Sequence, residues 1–160
     1  DQGVPTAPWL NDDVMPHIAR MTNVKELMID GTGITDTGFE LITSMSSLRE
    51  VWITNTLLTD RSLKTLTSLP NLSDLTFYPF EMTNDGLSHL PQIPQLRSIC
   101  IAGVDDGGVK HITDEGLKHL HPMTDLETFT YVDELGVTEQ GITDLKAALP
   151  DCKITNLDDL

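Results

Sequence analysis

Five threonine–acid or threonine–amide pairs recur along this chain: Thr35-Asp36, Thr59-Asp60, Thr83-Asn84, Thr113-Asp114 and Thr138-Glu139. A hydroxyl beside a carboxylate is the raw material of acid–base or nucleophilic catalysis. One pair in every repeating segment, however, is a structural pattern. A threonine oxygen accepts an orphan backbone N–H at a helix start, and an acid in the first turn favours the helix dipole. The pairs are therefore expected to be helix caps. Asp105 and Asp106, ahead of Gly107 and Gly108, suggest calcium. A calcium loop needs alternating oxygen ligands over about twelve residues, so a turn or a recognition loop is the better reading. His17, His89 and His119 share one helix column with Asp144, and His121 lies near it. Helix axes about 8–10 Å apart are too distant for easy zinc bridging, so these histidines are expected to be solvated. No periodicity brings a histidine beside Cys100, and the chain has no nucleophile elbow and no phosphate-cradling loop. We expect no enzyme, no cofactor and no metal site.

The elements that position these residues follow from a period. Val24, Leu48, Leu72 and Leu96 are 24 residues apart, and a further unit begins at Leu126 after a six-residue insertion. Two more columns follow: Leu27, Val51, Leu75, Ile99 and Phe129, then Ile29, Ile53, Phe77, Ile101 and Tyr131. The last two columns stand two residues apart, which places them on the buried face of a short strand. After a loop column (Ile34, Leu58, Met82, Ile112, Val137) come Phe39, Leu63, Leu87, Leu117 and Ile142. Three residues on are Ile42, Leu66, Leu90, Leu120 and Leu145, and steps of three mark a helix. These columns are expected to hold without exception in the four full repeats. Gly38, Gly86, Gly116 and Gly141 share one position with Ser62, which reads as a demand for close packing.

At 160 residues the chain fits one domain. Residues 1–8 read as a flexible lead-in and 9–160 as the repeat domain. Its parts are a half-repeat over 9–23, units starting at 24, 48, 72, 96 and 126, and a terminal cap over 150–160. Leu10, Met15, Ile18 and Met21 are assigned to the capping helix columns, and Trp9 to the cap itself. Cys100 and Cys152 fall at different repeat positions, so no disulfide is expected. The start at Asp1 suggests a processed chain or an excised segment. With 25 acids against 10 bases the net charge is −15, the wrong sign for phosphate backbones or anionic lipid. No run of about 18 apolar residues exists to span a membrane. The same acidity reads either as an aid to solubility or as selection for a basic partner.

The blocks I34-TDTGF, L58-TDRSL, M82-TNDGL, I112-TDEGL and V137-TEQGI carry a resemblance. They are similar to 24-residue leucine-rich repeats, in particular those of bacterial GALA-type proteins and those following an F-box in ubiquitin-ligase adaptors. The resemblance covers residues 9 to 157. It implies an α/β leucine-rich-repeat solenoid, a right-handed arc with short parallel strands on the concave face and helices on the convex face. For function it implies protein recognition alone.

On such an arc the residues alternating with the core face outward: Glu26, Met28 and Asp30, then Glu50, Trp52 and Thr54, then Asp74, Thr76 and Tyr78. Ser98, Cys100 and Ala102 follow, then Thr128, Thr130 and Val132. Glu26, Glu50 and Asp74 form an acidic ladder, either a solvated face or a seat for Lys or Arg, softened by Lys25 and Arg49. Trp52, Tyr78 and Phe80 are the aromatics that no core column explains. Clustered exposed aromatics are typical interface anchors, although Phe80 could equally fold under its own loop. The expected function is a non-catalytic protein–protein interaction module. The alternative is an accessory subunit of a larger assembly or one end of a longer array. The expected partner is a protein, with a monomer or a hetero-complex as the assembled state.

Overall fold

Alternating Val, Ile, Leu and Phe at the head of each 24-residue unit makes a strand with one apolar face, and such strands stack when the next unit repeats the pattern. The computed structural model describes residues 7–78, 81–102, 112–132 and 135–159. Its main sheet has six strands: β2 (Glu26–Asp30), β4 (Glu50–Thr54), β5 (Asp74–Phe77), β6 (Ser98–Ile101), β7 (Thr128–Tyr131) and β8 (Lys153–Asn156). They lie in chain order and every neighbouring pair is parallel. A separate pair joins β1 (Ala7–Asn11) to β3 (Thr32–Gly33). The helices are α1 (Met15–Ile18), α2 (Asp36–Phe39), α3 (Asp60–Leu66), α4 (Asn84–Leu87), α5 (Asp114–Lys118) and α6 (Glu139–Ala148). This α/β arrangement is consistent with a leucine-rich-repeat-like fold.

The core lies between sheet and helices, and the helix columns from Phe39 to Ile142 and from Ile42 to Leu145 are all buried. Val24 and Leu27 break the rule expected of the strand columns, being only partly buried where their equivalents from Leu48 to Leu126 and from Val51 to Phe129 are enclosed. The cause is positional: among the described residues β2 is the edge strand, with no strand paired beyond it. Tyr131 is likewise only partly buried. At the other end the last unit is one residue short. The Cys152 N–H donates to Leu149 O, as Leu126 donates to Met123 O, yet Ile154 pairs with Phe129. Ile154 must face inward to bury its side chain, so the register slips to place it there.

The N-terminal segment departs from expectation. Met15 is fully buried, and Ile18 packs partly buried against the core, but Met21 is exposed and Leu10 is only partly covered. Trp9 is 76% exposed and forms no part of a closed cap. It sits in the middle of β1, a strand tied to the chain by the Ala7 N–H bond to Gly31 O and by pairing at its two ends.

The threonine–acid pairs prove to be caps and something more. Thr35, Thr59, Thr83 and Thr138 each accept a helix N–H, while Thr113 does not. The residue after each of the first four threonines reaches across to the next unit. Asp36 Oδ1 accepts from Thr59 N at 3.0 Å and Oδ2 from Thr59 Oγ1 at 2.6 Å. Asp60 clasps Thr83 at 2.7 and 2.7 Å, and Asp114 clasps Thr138 at the same distances. Asp12 does so to Thr35 at 2.8 and 2.7 Å, starting the series inside the N-terminal half-repeat. Asn84 substitutes an amide: Oδ1 accepts from Thr113 N and Nδ2 donates to Thr113 Oγ1, both at 2.9 Å. These clasps crowd the shared glycines, although the same position in the second unit takes the buried Ser62 beside an intact Asp36–Thr59 clasp. A Cβ at Gly38, Gly86, Gly116 or Gly141 would collide with the side-chain oxygen of Asp12, Asp60, Asn84 or Asp114.

Candidate interaction surface

One sheet face packs on the core and the other is open, so outward residues from successive strands align in rows. The first row runs Glu26, Glu50, Asp74, Ser98, Thr128 and Lys153; the second runs Met28, Trp52, Thr76, Cys100, Thr130 and Thr155. The three acids of the expected ladder are thus adjacent rungs, and Met28 stands beside Trp52. Met28 is 64% exposed and Trp52 37% exposed.

Like charges side by side are unfavourable, and two of the three carboxylates are turned to local donors. Trp52 Nε1 donates to Glu50 Oε1, and Ser73 Oγ donates to Asp74 Oδ2 at 2.5 Å. Among the described residues neither Lys25 nor Arg49 forms an ion pair with the ladder, contrary to the expected softening. In the same way Asp30 Oδ1 accepts from Thr54 Oγ1 at 2.6 Å and from Asn55 Nδ2 at 3.0 Å. Asn55 holds a positive φ of 50°, a left-handed turn that asparagine tolerates and that aims its amide back at Asp30. Sequence reading passed over this Asp30–Thr54–Asn55 group; an asparagine just after a strand was the available signal.

Further along, the face loses its acidic side chains. Ser98 Oγ accepts from Thr128 Oγ1 at 2.8 Å, and Thr128, Thr130, Lys153, Thr155 and Leu157 line a shallow depression near the last strand. Cys100 is half-buried in the middle row, and burial pushes its thiol above the ordinary cysteine range, with a hydrogen bond to Thr76 opposing. Cys152 is also free, and its thiol is raised by burial too. Tyr78 lies just past β5, half-buried, with its N–H on Ile53 O. Ala102 and Val132 are the clear errors of the outward assignment, since both are buried. They follow the strand ends, where strict alternation no longer governs side-chain direction. Phe80, Asp105 and Asp106 lie outside the described residues.

Among the described residues no group of three His, Cys, Asp or Glu side chains could hold a metal ion. His17 is exposed, and His89, His119 and His121 are partly exposed. No described helix is long and apolar enough to cross a membrane.

No protein-family model matches this chain. No curated protein matches it either. Among solved structures it is similar to an internalin from Listeria monocytogenes, at 13% identity and a TM-score of 0.30 over 86% of this chain. The chain spans 64% of the length of that structure.

Proposed function

We propose that the chain is a non-catalytic protein–protein interaction module. In this reading the units form a right-handed leucine-rich solenoid of the 24-residue type, and the open sheet face is the concave, partner-binding side of the arc. One observation carries it: Met28 and Trp52 stand exposed on adjacent rungs, bordered by Glu26, Glu50 and Asp30 on the same strands. An aromatic anchor with a polar rim is the usual composition of an interface centre. Trp52 and Met28 are the desolvated contacts, and Tyr78 and Cys100 extend them along the face. Glu26, Glu50 and Asp74 steer a partner bearing Lys or Arg. The insertion carrying Asp105 and Asp106 is a separate candidate recognition loop, the next place to test if the open face does not bind.

Surface plasmon resonance on a partner captured from the native source tests the proposal. Binding should weaken as salt rises, because the Debye length shrinks to about 10 Å at 0.1 M. Neutralising Glu26, Glu50 and Asp74 should slow association more than it changes dissociation. Trp52→Ala should speed dissociation, with a loss of about 2 kcal/mol or more. If neither variant alters binding, the interface lies on another face.

A further inference from the structure

The open face does not carry one charge from end to end. Along the first outward row Glu26, Glu50 and Asp74 give way to Ser98 and Thr128, and the row ends on Lys153. In the second row Met28 and Trp52 give way to Thr76, Cys100, Thr130 and Thr155. The chain holds 25 acids against 10 bases, so a lysine closing a row that opens with three acids runs against the composition.

At the β7–β8 end the polar groups are available to a ligand. Lys153 is exposed, and its ammonium group has no ion-pair or hydrogen-bond partner among the described residues. The hydroxyls of Thr130 and Thr155, which stand side by side in the second row, have none either. With Thr128 and Leu157 these groups line a depression of about 220 Å³. One ammonium and two hydroxyls around a shallow hollow offer charged and neutral donors to a carboxylate.

Strand spacing sets the distance between the two ends. With neighbours about 4.8 Å apart, Lys153 lies about 14 Å from Asp74 and about 24 Å from Glu26 across the sheet. An extended chain rises about 3.3 Å per residue, so about four to seven residues cover that span.

We propose that the partner lays an extended segment of mixed charge across these strands. Lys or Arg side chains sit over Glu26, Glu50 and Asp74, and an Asp or Glu side chain enters the depression beside Lys153. This partner chemistry rests on the open face being the binding side, as proposed above, and adds to it the acidic half of the segment and the spacing of the two halves. A segment with bases at both ends would place like charge at Lys153, and one with acids at both ends would place it along the ladder. Each mismatch is repelled.

The probe is a synthetic peptide of about ten residues, with two Lys flanking a Leu near one end, Ser residues in the middle and a Glu near the other end. A second peptide carries Lys in place of that Glu. Both are titrated at low salt into the full chain, and backbone amides are followed by NMR. The mixed-charge peptide should shift Trp52, Thr130, Lys153 and Thr155 together and bind about tenfold tighter than the all-basic one. Lys153→Glu should reverse that order; the site is exposed and its row neighbour Thr128 is uncharged, so the fold is kept. Shifts at Trp52 with equal affinities, or with Lys153 and Thr155 unmoved, would overturn the mixed-charge segment and leave the open face as the binding side. Absence of shifts on the open face with either peptide would overturn both.

Discussion

Removing the carboxylate of Asp60 tests whether the threonine–acid series holds units together or only caps helices. Asp60 opens α3 and accepts from both Thr83 N and Thr83 Oγ1 at 2.7 Å in the next unit. Hydrogen bonds to a charged acceptor are worth about 1.5–3 kcal/mol each, and an orphaned N–H costs about 1–3 kcal/mol. The site is part-buried, so water can partly replace the lost acceptor, and the sum falls to about 2–3 kcal/mol. In a chain of this length that lowers the Tm by about 4–12 °C. Asp60→Asn should cost less than about 1 kcal/mol, since Asn84 makes the same pair of contacts to Thr113. Asp85 supplies the control. It is exposed in the first turn of α4, so Asp85→Ala removes a charge near a helix start without breaking a clasp, at about 0.3–0.5 kcal/mol. Urea unfolding with unchanged m reads each difference. Equal losses for Asp60→Ala and Asp85→Ala would refute the clasp and leave only the helix dipole.

Three further outcomes are expected. Gly86→Ala should cost about 1–3 kcal/mol, because the new Cβ meets the Asp60 carboxylate and Leu63 Cδ1; in a double-mutant cycle with Asp60→Ala the losses should add to less than their sum. Leu75→Ala, in the core, should cost about 2–5 kcal/mol, whereas Thr76→Ala on the open face should cost well under about 1 kcal/mol; thermal melts showing equal losses would overturn the strand register. Burial raises the thiols of Cys100 and Cys152 in the folded chain, so their protonated forms are favoured by folding. Stability from this source is full below the unfolded thiol range and falls as pH rises through the raised values; alkylation near pH 8 should be slower in the native chain than in urea.

Much of the fold was legible from residue order. The 24-residue period, the inward columns from Leu48 to Leu145 and the capping threonines follow from local rules, since every unit must supply the same apolar side chains to one shared core. The outward rungs Glu26, Glu50 and Asp74, and Met28 beside Trp52, followed from the same alternation. Ala102 and Val132 were misread because alternation stops where the strand stops, and a residue beyond it goes wherever the loop carries it. Trp9 and Met21 were misread because a half-repeat carries too few positions to fix a column.

What the sequence by itself determined is the inner face, because burial admits few residue types and repeats them. The tertiary structure alone decided which neighbour each polar group meets. Asp60 looks like a capping acid in its own helix, and only the offset between stacked units brings Thr83 within 2.7 Å of it. The same stacking sets Gly86 against the Asp60 carboxylate and leaves no room there for a Cβ. Those contacts lie about one repeat apart in sequence, and side-chain hydrogen bonds at that range depend on relative placement that residue type does not encode.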